Sequence, residues 1–519
     1  MKTAPIAIGQ ENYAPLVNKL LLPFILITVV FVYLPATDNY FVGDDYFLIA
    51  HAAQNGFSFD SFLKPVTQHF QPVFRALFAL EFYLFGTDAH GYHWVNILLH
   101  CANVYLAMIL FTWLLSDRFL GLLTSLVFGI SAAHWQVPTW ITCQGQLLAT
   151  FLFLISTLLF ITYIRNQRTI LLFLASLTHF IMLLSFSAGV EVPLLYVFLL
   201  YYFYYRTKSK SAILRHALVA IIPFIITIML YFFLRNMLLP DMPRYSIVYN
   251  IGGLRGAFTN IPKAFSLMLG GIYTGYVQSF TGAYLYNTIK GTPYLFNPLI
   301  KTATFLPTII CTVCMLLFVD WSSQGIRKYS LMIGILMLWL LSMYFPPALF
   351  RQKFMNMYLF AGAARYRYLP CLPAAAIVVV LWKSLRPLSS HNTKNILKIL
   401  LCLLFVFILY LNIAEIRTIN TFVKKQSHEF QKTESIFIRD LHSLINMQQG
   451  QIQIIDRRFN DPKIRYAALF VRPSILARIH FSHAKLKDVR FVAPKDSSSI
   501  QSDIPIYEVT KGCLLRVDR

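Results

Sequence analysis

Residues 20–50 read "LLLPFILITVVFVYLPATDNYFVGDDYFLIA". The stretch 20–36 is almost wholly apolar and long enough, as a helix, to cross most of a bilayer's hydrocarbon core. Two adjacent carboxylates, Asp44 and Asp45, follow it. Charge at a membrane surface is costly unless it has a partner or a task. The pair therefore needs a reason to stand at the mouth of the first apolar run.

Working outward, runs of the same kind recur along the 519 residues, of which 57% are hydrophobic and 13% charged, with mean hydropathy +0.59. A soluble chain carries roughly 25% charged residues, so a soluble globular protein is excluded. Eleven spans are expected, near 20–36, 92–115, 119–134, 146–164, 169–186, 188–205, 213–235, 301–320, 329–345, 368–383 and 396–414. The first run has no small-x-small cleavage site and spans follow it directly, so it reads as an anchor and not a cleaved signal.

The formal net charge is +23. The connectors "SDRF", "RNQR", "RTKSKSAILRH", "SQGIRKYS" and "KSLRPLSSHNTK" are basic and fall on alternate sides of this layout. The positive-inside rule puts all five in the cytoplasm. The N-terminus is then cytoplasmic, the C-terminus is periplasmic or extracellular, and Asp44 and Asp45 face outward.

Two outward segments, 37–91 and 236–300, are too long for simple connectors. A stretch around 262–280 is apolar enough to lie in the interface. Beyond residue 417 apolar runs shorten and charges become frequent. There "KKQSHEFQKTESIFIRDLHSLINM" reads as helix, and "GQIQIIDRR", "DVRFVAP" and "IPIYEV" read as short strands. The chain thus divides into a transmembrane domain, 1–417, and a small mixed domain, 418–519. The seven cysteines form no disulfide or zinc pattern, and "CTVC" at 311–314 reads as two packing residues inside an apolar helix.

"GDDYFLIAHAAQ" also reads as a helix start, with Asp44 or Asp45 as its cap. Capping and chemistry are compatible, because a carboxylate at a helix N-terminus is both stabilised and oriented. The next residues favour chemistry. The segment 67–111 carries His69, Pro72, Arg75 and Gly86, then "GYHWVNILLH", which places His93, Asn96 and His100 on one helical face. Such groups face a water-filled cavity or bond across to other helices. His134 and Trp135 stand at the next outward turn and are candidates for lining the same cavity.

A first span, an outward acidic pair and a "P-x-x-R … FG … GYHxxNxxxH" segment together resemble the GT-C glycosyltransferases. The likeness is to bacterial relatives of the protein O-mannosyltransferases and of the transmembrane and tetratricopeptide-repeat mannosyltransferases. It covers residues 20–205 and returns at "RYRYLP", 365–370, where relatives carry "RYLYLP"-like stretches. Around 128–149, Gln136 and Gln144 stand where relatives tend to have a glutamate and an arginine. Near 184–193, Phe186 and Ser187 stand where Lys-Glu is common, leaving Glu191 as the acid. Tetratricopeptide repeats are missing from the tail.

The resemblance implies an all-α polytopic membrane protein of about eleven transmembrane helices, carrying a small C-terminal mixed α/β extracytoplasmic domain. It implies an enzyme of the plasma (inner) membrane that moves a sugar from a polyprenyl-phosphate donor to a glycan, lipid or protein acceptor. Asp44 would be the general base, with Asp45 as second choice or as its orienting partner. His69, Arg75, His93, His134, Arg365 and Tyr366 would bind substrate or carrier, Arg365 meeting the leaving phosphate because guanidinium matches phosphate geometry. No cofactor is assigned. A divalent cation shared by Asp44, Asp45 and a substrate phosphate would suit hard oxygen ligands, but no metal cluster stands out. The rival readings are a lipid-linked sugar transporter or flippase, which should show internal repeats, a polysaccharide polymerase or ligase, and a non-catalytic scaffold.

Overall fold

The computed structural model describes residues 15–63, 70–187, 189–204, 210–238, 324–350, 367–383 and 391–447, Ile479, and strands within 452–516. The outward stretch 239–300, the span expected at 301–320 and the "CTVC" stretch lie outside the described residues.

Helices dominate. In chain order they are α1 (Pro15–Tyr33), α2 (Asp45–Asn55), α3 (Phe59–Leu63), α4 (Pro72–Phe85), α5 (Ala89–Leu115), α6 (Arg118–Gly129), α7 (Gln136–Thr139) and α8 (Gln144–Asn166). Then follow α9 (Thr169–Ser185), α10 (Val192–Tyr204), α11 (Lys210–Leu238), α12 (Gln324–Phe350), α13 (Tyr368–Lys383) and α14 (His391–Met447). Five helical stretches are long and apolar enough to cross a membrane: Leu20–Asp38, Ala89–Leu115, Ile141–Asn166, His216–Leu238 and Phe405–Asn446. Their outer faces are apolar. On α1, Leu20, Phe24, Ile27 and Phe31 form one exposed stripe, and α11 exposes Leu218, Ile222, Ile225, Met229 and Phe233. Such stripes need lipid to cover them. The protein is a multi-pass membrane protein.

The third expected span departs from its reading. α6 has 12 residues, about 18 Å of helix, too short to cross alone. It stops where Gly129 meets α1 and α5: a Cβ there would lie 2.8 Å from Val29 and 3.0 Å from Val104. The chain then makes a 3₁₀ turn at Ala132–His134, the short α7 and another 3₁₀ turn at Ile141–Cys143 before α8. Hydropathy does not register this close approach, so 119–134 reads as one run.

α14 runs unbroken for 57 residues, about 85 Å, across residue 418. Neither Gly nor Pro occurs between His391 and Met447, so nothing in the backbone interrupts it. Past it, β1 (Ile452–Ile455), β2 (Val489–Val492), β3 (Ile506–Thr510) and β4 (Cys513–Arg516) form a sheet in the order β2-β1-β3-β4. β1 is parallel to β2 and β3, whereas β3 and β4 are antiparallel. Three of these strands fall on stretches read as strands from sequence, and β4 was not anticipated.

Two apolar cores matter for the site. The larger joins α1, α5, α6, α8 and α13. The smaller joins the first outward segment to the tail: Phe41, Tyr46 and Ile49 pack with Phe74 and Phe78 of α4, Phe437 and Leu441 of α14, Ile454 of β1 and Tyr507 of β3.

Candidate active site

The acidic pair opens α2. Asp44 occupies the N-cap position, is half-buried, and makes no side-chain capping bond to the helix. Asp45 is 1% exposed. Its Oδ2 accepts from the Val42 backbone N–H at 2.9 Å, while Oδ1 accepts from the Thr142 N–H at 2.8 Å and from the Thr142 hydroxyl. Burial pushes the Asp45 carboxyl up to about 7, the Asp44 charge adds to that, and the three donors oppose it. Asp45 therefore ties the start of α2 to the turn before α8. Both its oxygens already accept hydrogen bonds, so the pair does not present two open carboxylates to a cation. Among the described residues no three His, Cys, Asp or Glu side chains converge as a metal site.

Two more bonds brace the same place. Trp140 Nε1 donates to the Val42 carbonyl at 3.3 Å, and Asn96 Nδ2 of α5 donates to the Trp140 carbonyl at 3.2 Å. One turn earlier on α5, His93 is buried against the Asn39 backbone. Its ring nitrogens and the Asn39 side-chain amide find no well-formed protein hydrogen bond. Buried polar groups rarely stay unsatisfied, so water or a polar ligand belongs there.

Arg75 is buried at the first turn of α4, away from the pair's own contacts. It lines a small cavity with Leu48, His51, Ser61 and Phe78, and its Nη1 approaches the Phe62 carbonyl at 3.5 Å. Burial alone lowers its guanidinium to about 10. Glu81, two turns further along α4, is buried as well. Its Oε1 accepts from Gln144 Nε2 at 2.7 Å, and burial pushes the carboxyl up to about 8.

His134 joins a different cluster. Its Nε2 donates to the Phe128 carbonyl at 2.7 Å, and its ring lies edge-on to Tyr368, 4.9 Å between centroids. His100 Nε2 bonds the Gly129 carbonyl at 2.9 Å, which can only accept, so that nitrogen carries the proton. Nδ1 must then accept from the Tyr368 hydroxyl, 2.6 Å away. Asn103 Nδ2 donates to the same hydroxyl oxygen at 3.1 Å. For Asn96 and His100, bonding across to neighbouring segments is what the structure contains.

His69, Arg365 and Tyr366 lie outside the described residues, while Arg367 of the same stretch is buried just before α13. Thus the structure brings Asp45 to Thr142, sets His93 beneath the loop that carries the pair, and places Arg75 and His134 in separate surroundings. Sequence reasoning missed Thr142, Glu81 and Tyr368. Glu81 had a signal, a single acid inside the apolar run "ALEFYLF", and Tyr368 lies within the "RYRYLP" stretch.

The molecule is a helical membrane bundle with a braced acidic loop over the start of its second long helix. Among solved structures, the chain is similar to the oligosaccharyltransferase of Archaeoglobus fulgidus, determined with a tethered acceptor peptide: TM-score 0.50, 11% identity, 88% of this chain covered. It spans 63% of that protein's length. It is also similar to ArnT from Cupriavidus metallidurans bound to undecaprenyl phosphate, with TM-score 0.48, 12% identity, and 94% and 92% of the two chains covered. No protein-family model and no curated protein matches the sequence. The likeness to the archaeal oligosaccharyltransferase is one of fold.

Proposed function

We propose that this protein is a membrane glycosyltransferase that uses a polyprenyl-phosphate-linked sugar and acts at the outer face of the membrane. Fold alone does not fix chemistry, so the reading rests on the site. The observation that carries it is the division of labour within the acidic pair. Asp45 is tied at both oxygens, and Asp44 beside it is half-buried at the N-terminus of α2 without capping that helix. A carboxylate held so is pre-oriented, and the helix N-terminus favours its anionic form.

In the reaction, an acceptor hydroxyl oxygen forms a bond to the anomeric carbon. The bond from that carbon to the carrier phosphate oxygen breaks, and the phosphate leaves with the electron pair. Asp44 takes the hydroxyl proton. Arginine is the natural partner of the leaving phosphate, and the resemblance gives that role to Arg365. The orphaned polar groups of His93 and Asn39 are suited to sugar hydroxyls. The acceptor, on this reading, is a glycan, lipid or protein bearing a hydroxyl.

The test is transfer of radiolabelled sugar from polyprenyl-phosphate carriers in membranes expressing the native chain or Asp44→Asn at matched levels. Native membranes should build a labelled product, and the variant should lose roughly 10²–10⁴-fold in rate. Equal product from both would remove Asp44 from the chemistry.

A further inference from the structure

α14 meets the first outward segment along one face. Lys424 Nζ lies 2.8 Å from Asp38 Oδ2, Ser427 Oγ accepts from the Tyr40 N–H at 3.0 Å, and His428 Nε2 donates to the Asp38 carbonyl at 3.0 Å. Further along the same face, Glu434 is 4% exposed. Its Oε2 accepts from the Tyr46 hydroxyl at 2.9 Å, and the Tyr40 phenol lies within electrostatic reach of the same carboxylate. Next, Phe437 and Leu441 are buried among Phe41, Tyr46 and Phe78.

Tyr40 and Tyr46 bracket the acidic pair. Between them the backbone turns through Gly43 at φ +55°, a conformation that costs a residue with a Cβ. Asp44 and Asp45 thus ride on a short arch. One flank of that arch is bonded through Tyr46 to a carboxylate that the sequence places 388 residues further on, and the other is bonded through the Tyr40 N–H to Ser427 of the same helix.

The geometry points to Glu434 as the positioning residue of the acidic pair, through which the tail helix fixes the arch that presents Asp44. This rests on the proposed role of Asp44. It assigns the tail a part in setting the site, which its sequence does not reveal.

The full-length protein in detergent tests it with Glu434→Ala and Glu434→Gln, each read two ways. Amide hydrogen exchange over residues 38–48 should accelerate at least about tenfold in Glu434→Ala, since a buried charged hydrogen-bond acceptor is lost. Transfer from a polyprenyl-phosphate sugar should lose roughly tenfold in kcat with the donor KM unchanged. Glu434→Gln should stay within about threefold of native on both readouts, because an amide oxygen still accepts from the Tyr46 phenol. If Glu434→Ala does not fold, Tyr46→Phe removes the phenol that donates to Glu434 and should speed exchange about threefold.

Native exchange and native kcat in Glu434→Ala would overturn the proposal. So would a Glu434→Gln variant with native exchange and no transfer, because the carboxylate would then act in the chemistry itself. Asp44→Asn runs alongside. If that variant transfers at the native rate, the catalytic reading has failed, and the exchange result alone decides whether Glu434 holds the arch.

Discussion

Two polar clusters flank α5, and they are built on opposite principles. Around His100, Asn103, His134 and Tyr368, donors and acceptors mostly find each other inside the bundle, and all four side chains are buried. Around Asp44 and Asp45, one carboxylate accepts three hydrogen bonds, its neighbour is half-exposed, and the His93 ring and Asn39 side-chain amide find no well-formed protein bond. The first arrangement fastens α13 to α5 and α6. The second keeps a charged group in a fixed place. The presence of polar residues near a membrane helix therefore says little about function.

Four measurements would break or sharpen that contrast. The largest effect belongs to Asp44→Asn: transfer should fall roughly 10²–10⁴-fold while thermal stability in detergent stays near native. Next is Tyr368→Phe. It leaves His100 Nδ1 without a partner deep in the bundle, while Asn103 Nδ2 keeps its bond to the Leu147 carbonyl, so stability should drop by about 1–3 kcal/mol, visible as a lower unfolding temperature, with transfer per folded molecule retained.

A pH effect follows from Glu81. Its carboxyl rises from 4.5 to about 8 on folding. Below the lower value both states are protonated and nothing is lost; between the two, the native state binds the extra proton. Stability should therefore fall as pH rises from about 4.5 to about 8. Glu81→Gln should flatten that fall in unfolding temperatures measured at pH 5 and pH 9. The smallest effect is expected for Lys424→Ala. The Lys424–Asp38 pair is about half-exposed, and a solvent-screened pair contributes at most about 0.5–1 kcal/mol. A larger loss there would mean that α14 docks through its rim charges and not through Glu434, Phe437 and Leu441.

Much of the bundle was legible because hydropathy over a long window is a strong local signal. α5, α8 and α11 fall where their apolar runs put them. What was not legible depends on contacts between distant residues. α6 ends at Gly129, which packs closely against Val29 and Val104. α14 continues past the change in composition because charge density ends a membrane span but not a helix. The site divides in the same way. Asp44 and Asp45 stood out as adjacent acids after an apolar run. Thr142 and Glu434 lie 97 and 388 residues from the groups they bond, with nothing local to mark them. Gln144 was noted as standing where relatives tend to have a charged residue; its bond to Glu81 explains how the position is used here.

The most direct test sets the two clusters against each other. Labelled-sugar transfer and unfolding temperature would be measured together for the native protein, Asp44→Asn and Tyr368→Phe. The account predicts a crossed pattern: Asp44→Asn keeps its unfolding temperature and loses transfer, whereas Tyr368→Phe loses unfolding temperature and keeps transfer. If Asp44→Asn instead unfolds early and the folded remainder transfers at the native rate, Asp44 is structural like the other cluster, and the central claim is wrong.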